Sequence, residues 1–149
     1  MSGRLTHAIV RTLDAAAKVL GKGNARASHL ATGSRGEDAA YFHLRTQGYT
    51  MVARNFRSPR RRGEIDLIAY EGDTLCFIEV KTRTSHAVKP AEAAVDAAKQ
   101  KELRAVAREY LRRLDTAPTI RFDVVSIYYE GDAPADFTLF KNAFSANLE

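Results

Sequence analysis

Between positions 63 and 83 the chain reads Gly-Glu-Ile-Asp-Leu-Ile-Ala-Tyr, turns at Glu71-Gly72-Asp73, and resumes as Thr-Leu-Cys-Phe-Ile-Glu-Val-Lys-Thr-Arg. Two apolar runs around a short Gly-containing turn predict a β-hairpin: glycine supplies the positive φ of the turn, and Ile, Tyr, Phe and Val favour the pleated sheet. Successive side chains on a strand alternate between faces. Glu64, Asp66 and Ile68 are therefore expected on one face, Ile65 and Leu67 on the other, with Glu79 and Lys81 side by side on the second strand. Charge in the middle of apolar strands is costly unless something compensates it.

The flanking pattern fills in the rest of the architecture. Leu5, Ala8, Ile9, Leu13, Ala16, Ala17 and Leu20 recur at helical spacing, with Arg4, Arg11, Lys18, Lys22 and Arg26 around them, so residues 1–32 read as a basic helical extension. Ser34 is placed to cap a helix over about 35–47, Glu37 completes a capping box, Ala40, Tyr41 and Leu44 form its apolar stripe, and Gly48 ends it. Residues 49–55 alternate loosely as a first strand. Beyond the hairpin, Pro90 suits the first turn of a long helix reaching about Leu114, striped by Ala94, Ala97, Ala98, Leu103, Val106, Ala107, Tyr110 and Leu111. A strand over 120–129 and a short element over 137–144 close the chain. Strands joined by tight turns are antiparallel, whereas a strand reached through a helix runs parallel to its neighbour. The expected fold is α/β, a mixed sheet flanked by helices with an α-β-β-β-α-β core over residues 33–149.

A length of 149 residues suits one compact domain with one core. The formal charge of +5 and pI near 9.5 predispose it towards polyanions. The positive charge is densest at Arg57, Arg60, Arg61 and Arg62, in a Pro-broken loop that directly precedes the acidic strand. The single cysteine, Cys76, lies in an apolar run and reads as a small buried hydrophobe, and no zinc-ligand spacing occurs. Apolar runs fall well short of the ~20 residues of a membrane span, and no signal-peptide pattern opens the chain, so no membrane partner and a reducing cytoplasm are expected.

Hydrolysing a phosphodiester requires a positioned water, a lowered water pKa and positive charge near the transition state. Carboxylates holding Mg²⁺ or Mn²⁺ meet the last two needs, and a lysine can orient or deprotonate the water. Asp66 and Glu79 offer carboxylates from adjacent strands, the Val80 carbonyl offers a further oxygen, and Lys81 shares the face of Glu79. An ion-pair network between strands would use the same residue types. The residues alone leave both readings open, and they leave Glu37 with a sufficient role as a capping residue.

The succession Gly-Ser-Arg-Gly-Glu-Asp-Ala-Ala at 33–40, Gly-Tyr at 48–49, Arg-Asn at 54–55, Gly-Glu-Ile-Asp-Leu-Ile-Ala at 63–69 and Phe-Ile-Glu-Val-Lys-Thr-Arg at 77–83 resembles the YraN-type bacterial family. That family is grouped with restriction-endonuclease-like nucleases of the PD-(D/E)xK type and is similar to archaeal Holliday-junction resolvases. The resemblance implies catalytic roles for Asp66, Glu79 and Lys81, and a Mg²⁺ or Mn²⁺ site made by Glu37, Asp66, Glu79 and Val80. It places Glu64 and Thr82 behind that site, with Arg57, Arg60, Arg61, Arg62 and Arg83 against phosphate. Ile65 stands where the full motif has proline, as in the resolvase-like branch. DNA is the implied substrate, in branched or structured form, and a homodimer is expected by analogy. A noncatalytic nucleic-acid-binding or partner-recruiting module on the same fold is the alternative. Residues 1–32 lie outside the resemblance.

Overall fold

The computed structural model of the protein describes residues 25–83, 95–131 and 135–149, with side chains described from residue 33. The expected basic helix over residues 5–20 lies outside the described residues. The chain divides into two compact units at Arg35/Gly36, and the unit Gly36–Glu149 carries the sheet.

Helix α1 spans Ala25–Thr46, so Ser34 lies inside it and caps nothing. The expected start at about residue 35 is corrected by the alanines at 25, 27 and 31, whose high helix propensity carries the helix past the Gly33-Ser34 pair. Glu37 therefore loses its capping role. At the other end the expectation holds: Gly48 adopts φ +92°, and Tyr49 N–H donates to the Leu44 carbonyl at 3.1 Å.

Among the described residues, strands β1 (Thr50–Arg57), β2 (Glu64–Glu71), β3 (Thr74–Arg83), β4 (Thr119–Tyr128) and β5 (Asp136–Phe144) form one sheet in the order β1-β2-β3-β4-β5. The β3–β4 pair is parallel and the other pairs are antiparallel. The parallel pair follows from the connection through helix α2 (Ala97–Leu111). The described part of that helix starts at Ala97 rather than Pro90, because the Asp96 carboxylate accepts from Lys99 N–H at 2.8 Å and forms the N-cap. Residues 84–94 lie outside the described residues.

Two apolar layers cover the sheet. On one face Ile65, Ile68, Phe77, Phe122 and Val124 pack with Leu103, Val106 and Ala107 of α2. On the other, Leu67, Ala69, Ile78, Val125 and Ile127 pack with Ala40 and Leu44 of α1. Ile65 and Ile68 thus share a layer while Leu67 lies in the opposite one, which corrects the simple alternation expected along β2. The cause is a local kink. Asn55 in β1 adopts φ +48°, and the β2–β3 ladder starts only at Leu67↔Ile78. Asp66 sits at this break, and its Oδ2 accepts from Val80 N–H at 2.8 Å where a ladder bond would otherwise form.

Arg121 donates to Asp123 Oδ1 at 2.7 Å and to Glu71 Oε2 at 2.5 Å, and Tyr49 hydroxyl donates to Glu71 Oε2 at 3.0 Å. Asp123 is only 1% exposed, so this paired network accounts for the charge that interrupts β4. No helix among the described residues is long and apolar enough to cross a membrane.

Candidate metal centre

The kink at Asp66 brings three carboxylates together. Glu37 from α1 and Glu64 and Asp66 from β2 each offer an oxygen within 4.8 Å of the others. Like charges this close, partly buried, oppose ionisation. Burial first, then the charges of Asp66 and Glu64, raises the Glu37 pKa, against the pull of Arg54 and Asn55. Asp66 is raised by burial and by Glu64, while the Val80 N–H, Lys99 and a side-chain hydrogen bond with Glu79 oppose the shift.

Glu37 is held at this point by a close approach. A Cβ built on the neighbouring Gly36 would lie 2.1 Å from Thr82 Oγ1, so α1 meets β3 where any side chain at residue 36 would have to displace the threonine hydroxyl. Thr82 thus lies against the helix turn that carries Glu37.

Glu79 lies outside the three-carboxylate group but within the field of Asp66. Its pKa is pushed up to about 7, chiefly by burial and then by Asp66, with Lys99 and Lys81 opposing. Its Oε1 is 3.9 Å from Lys99 Nζ, and its buried Oε2 has no hydrogen-bond partner among the described residues. A buried carboxylate oxygen without a donor is costly. Lys81, two residues on, has its pKa lowered by burial and by Arg83. The backbone of Val80 engages Asp66 through its N–H.

Beside the acids lies a groove of about 440 Å³ lined by Arg57, Ser58, Arg61, Gly63, Glu64, Asp66 and Lys99. Arg57 and Arg61 line it; Arg57 pairs with Glu64, and Arg61 approaches Glu109 at 4.0 Å. Arg60 and Arg62 are exposed and outside its lining. Arg83, at the end of β3, is half-buried, and its Nε has no partner among the described residues. Sequence reasoning missed Lys99. In the sequence it is indistinguishable from Lys101, Arg104 and the other basic residues of α2, and only the Asp96 cap, which orients the first turn of α2, marks its position.

The donor set suits a hard divalent cation. Three clustered carboxylates, a fourth with an orphaned oxygen, and the absence of histidine or cysteine from the group match oxygen-ligand preferences. A cation there would relieve the repulsion that raises these acids.

The description "Uncharacterised protein family UPF0102" matches residues 36–127. A UPF0102 protein of Koribacter versatilis is 53% identical over 116 residues, covering 78% of this chain and 80% of that protein. One of Symbiobacterium thermophilum is 45% identical over 115 residues, covering 76% of this chain and 96% of that protein. A third, of Solibacter usitatus, is 51% identical over 96 residues, covering 64% of this chain and 73% of that protein. The matched span holds α1 from Gly36, the kinked hairpin and α2, so the chain that positions these acids belongs to the UPF0102 (YraN) family.

Proposed function

We propose that this protein is a metal-dependent nuclease that hydrolyses phosphodiesters of cytoplasmic DNA, with branched or structured DNA of repair or recombination as its substrate. The observation that carries the reading is Asp66 at the strand break, between the Glu37–Glu64 pair and the orphaned oxygen of Glu79, beside an arginine- and lysine-lined groove. Oxygen-rich acids beside a cationic groove fit the two halves of the task, holding a cation and holding a phosphate.

Glu37, Asp66 and Glu79 would hold Mg²⁺ or Mn²⁺, with Glu64 close enough to join them. The bound ion supplies a lowered water pKa and neutralises charge that builds on the phosphate. Arg57 and Arg61 hold the substrate backbone in the groove, and Lys81 Nζ orients the attacking water. Burial and Arg83 bring the Lys81 pKa down, which favours a role in moving that water's proton. Val80 N–H fixes Asp66 Oδ2, leaving the other carboxylate oxygen for the cation. Two symmetric cuts in a branched substrate call for two copies, so the working form is a homodimer.

A noncatalytic DNA-binding module is the second reading, favoured by the position of Glu79 outside the three-carboxylate group. Incubation of the full chain with linear duplex, single-stranded and four-way-junction DNA in Mg²⁺ or Mn²⁺ separates the two. The nuclease reading expects metal-dependent cleavage lost in Glu79→Ala and Lys81→Ala. Equal cleavage by both variants would overturn it, and salt-sensitive binding without cleavage of any substrate would favour the module.

A further inference from the structure

We infer that Lys99 is a substrate-binding residue of this site, holding a non-bridging phosphate oxygen of the DNA in the groove. The inference rests on the nuclease reading for what occupies the groove. Lys99 lies in the first turn of α2, where the Asp96 cap fixes the backbone. Its ammonium stands 3.9 Å from Glu79 Oε1 and 3.6 Å from Glu102 Oε2. Both separations exceed hydrogen-bond length. The ammonium is thus drawn between two acids and bonded directly to neither, with donors left for a ligand.

Its surroundings select an anion. Lys99 lines the groove with Arg57 and Arg61, and each of those arginines already has a carboxylate, Glu64 and Glu109 respectively. Lys99 also approaches Glu79, on whose charge it acts together with Lys81. A group in that position can hold a phosphate next to the acids that would bind the ion. The Arg57 and Arg61 side chains are more open to solvent, 76% and 49% exposed against 34% for Lys99. Gly63 keeps this corner tight: at φ +95°, a Cβ there would lie 2.6 Å from Glu102 Cγ. The loop and helix therefore meet at the carboxylate that flanks Lys99.

The full chain and its Lys99→Gln and Lys99→Arg variants are compared in two assays. The first measures binding of a labelled duplex with a hydrolysis-resistant phosphorothioate backbone in Mg²⁺ over a range of salt, and the second measures steady-state cleavage of the natural backbone. The expected result is about tenfold weaker binding for Lys99→Gln. Its salt slope should be shallower by about one. KM should rise while kcat changes little, and Lys99→Arg should restore binding. Unchanged affinity and slope in Lys99→Gln overturn the inference and leave the nuclease reading standing. A loss that Lys99→Arg does not restore, with a lowered melting temperature, also overturns it by showing a structural role. If the wild type binds without cleaving, the nuclease reading falls, and the binding arm still decides the role of Lys99.

Discussion

Replacing Glu79 by glutamine should stabilise the metal-free protein, with an effect that depends on pH. Glu79 has a folded pKa of about 7 against an ordinary 4.5, and its side chain is 16% exposed. A folded value above the unfolded one means that the folded state binds the proton more tightly. Stability from this group is therefore full below about 4.5, falls as pH rises towards about 7, and stays low above that. The difference corresponds to about 3 kcal/mol at pH well above 7. Glutamine keeps the shape and removes the charge. Thermal unfolding in EDTA should show Glu79→Gln about 2–3 kcal/mol more stable than wild type near pH 8.5, or about 10 °C in Tm for a domain of this size. Near pH 4.5 the two proteins should nearly coincide. Mn²⁺ at about a thousand times its Kd should reverse the order, because at that excess it adds about 4.1 kcal/mol only to the protein that binds it. A Glu79→Gln variant less stable than wild type at high pH would refute the reasoning and identify Glu79 as a satisfied partner of Lys99.

Other consequences follow from the same geometry. Gly36→Ala should cost about 1–3 kcal/mol in urea unfolding, since the new methyl meets Thr82 Oγ1, and the double variant with Thr82→Ala should recover most of that loss. Arg121→Met should destabilise by about 3–5 kcal/mol in the same assay, because it leaves the buried Asp123 carboxylate without its cation. Because the Glu79, Asp66 and Glu37 acids must ionise to bind Mn²⁺, calorimetric affinity should rise as pH increases through about 7, where Glu79 titrates, with the raised Asp66 and Glu37 acting in the same direction; flat affinity across that pH would contradict it.

Much of the fold could be read from residue pattern alone. The Gly72 turn adopts φ +58°, the hairpin forms around it, and the strand after the long helix runs parallel to β3. Asp66, Glu79 and Lys81 stood out because charge interrupts apolar strands. Other features have no periodic signal. The kink lies opposite Asn55, whose left-handed conformation asparagine tolerates but does not announce. It moves Asp66 towards Glu37 and Glu64 and breaks the face assignment for Ile65 and Leu67. Ser34 looked like a cap because its chemistry suits one, and the alanines before it override that local preference. Lys99 is distant in sequence from the acids it approaches, so only tertiary packing of α2 identifies it.

The central claim is that the acids around the Asp66 kink form a divalent-cation site. Isothermal calorimetry of Mn²⁺ into the full chain at pH 8, with Asp66→Asn as the control, tests it most directly. Saturable binding by the wild type that Asp66→Asn abolishes, while keeping its fold by circular dichroism, is the predicted result. No heat from the wild type, or equal binding by both proteins, would contradict the account.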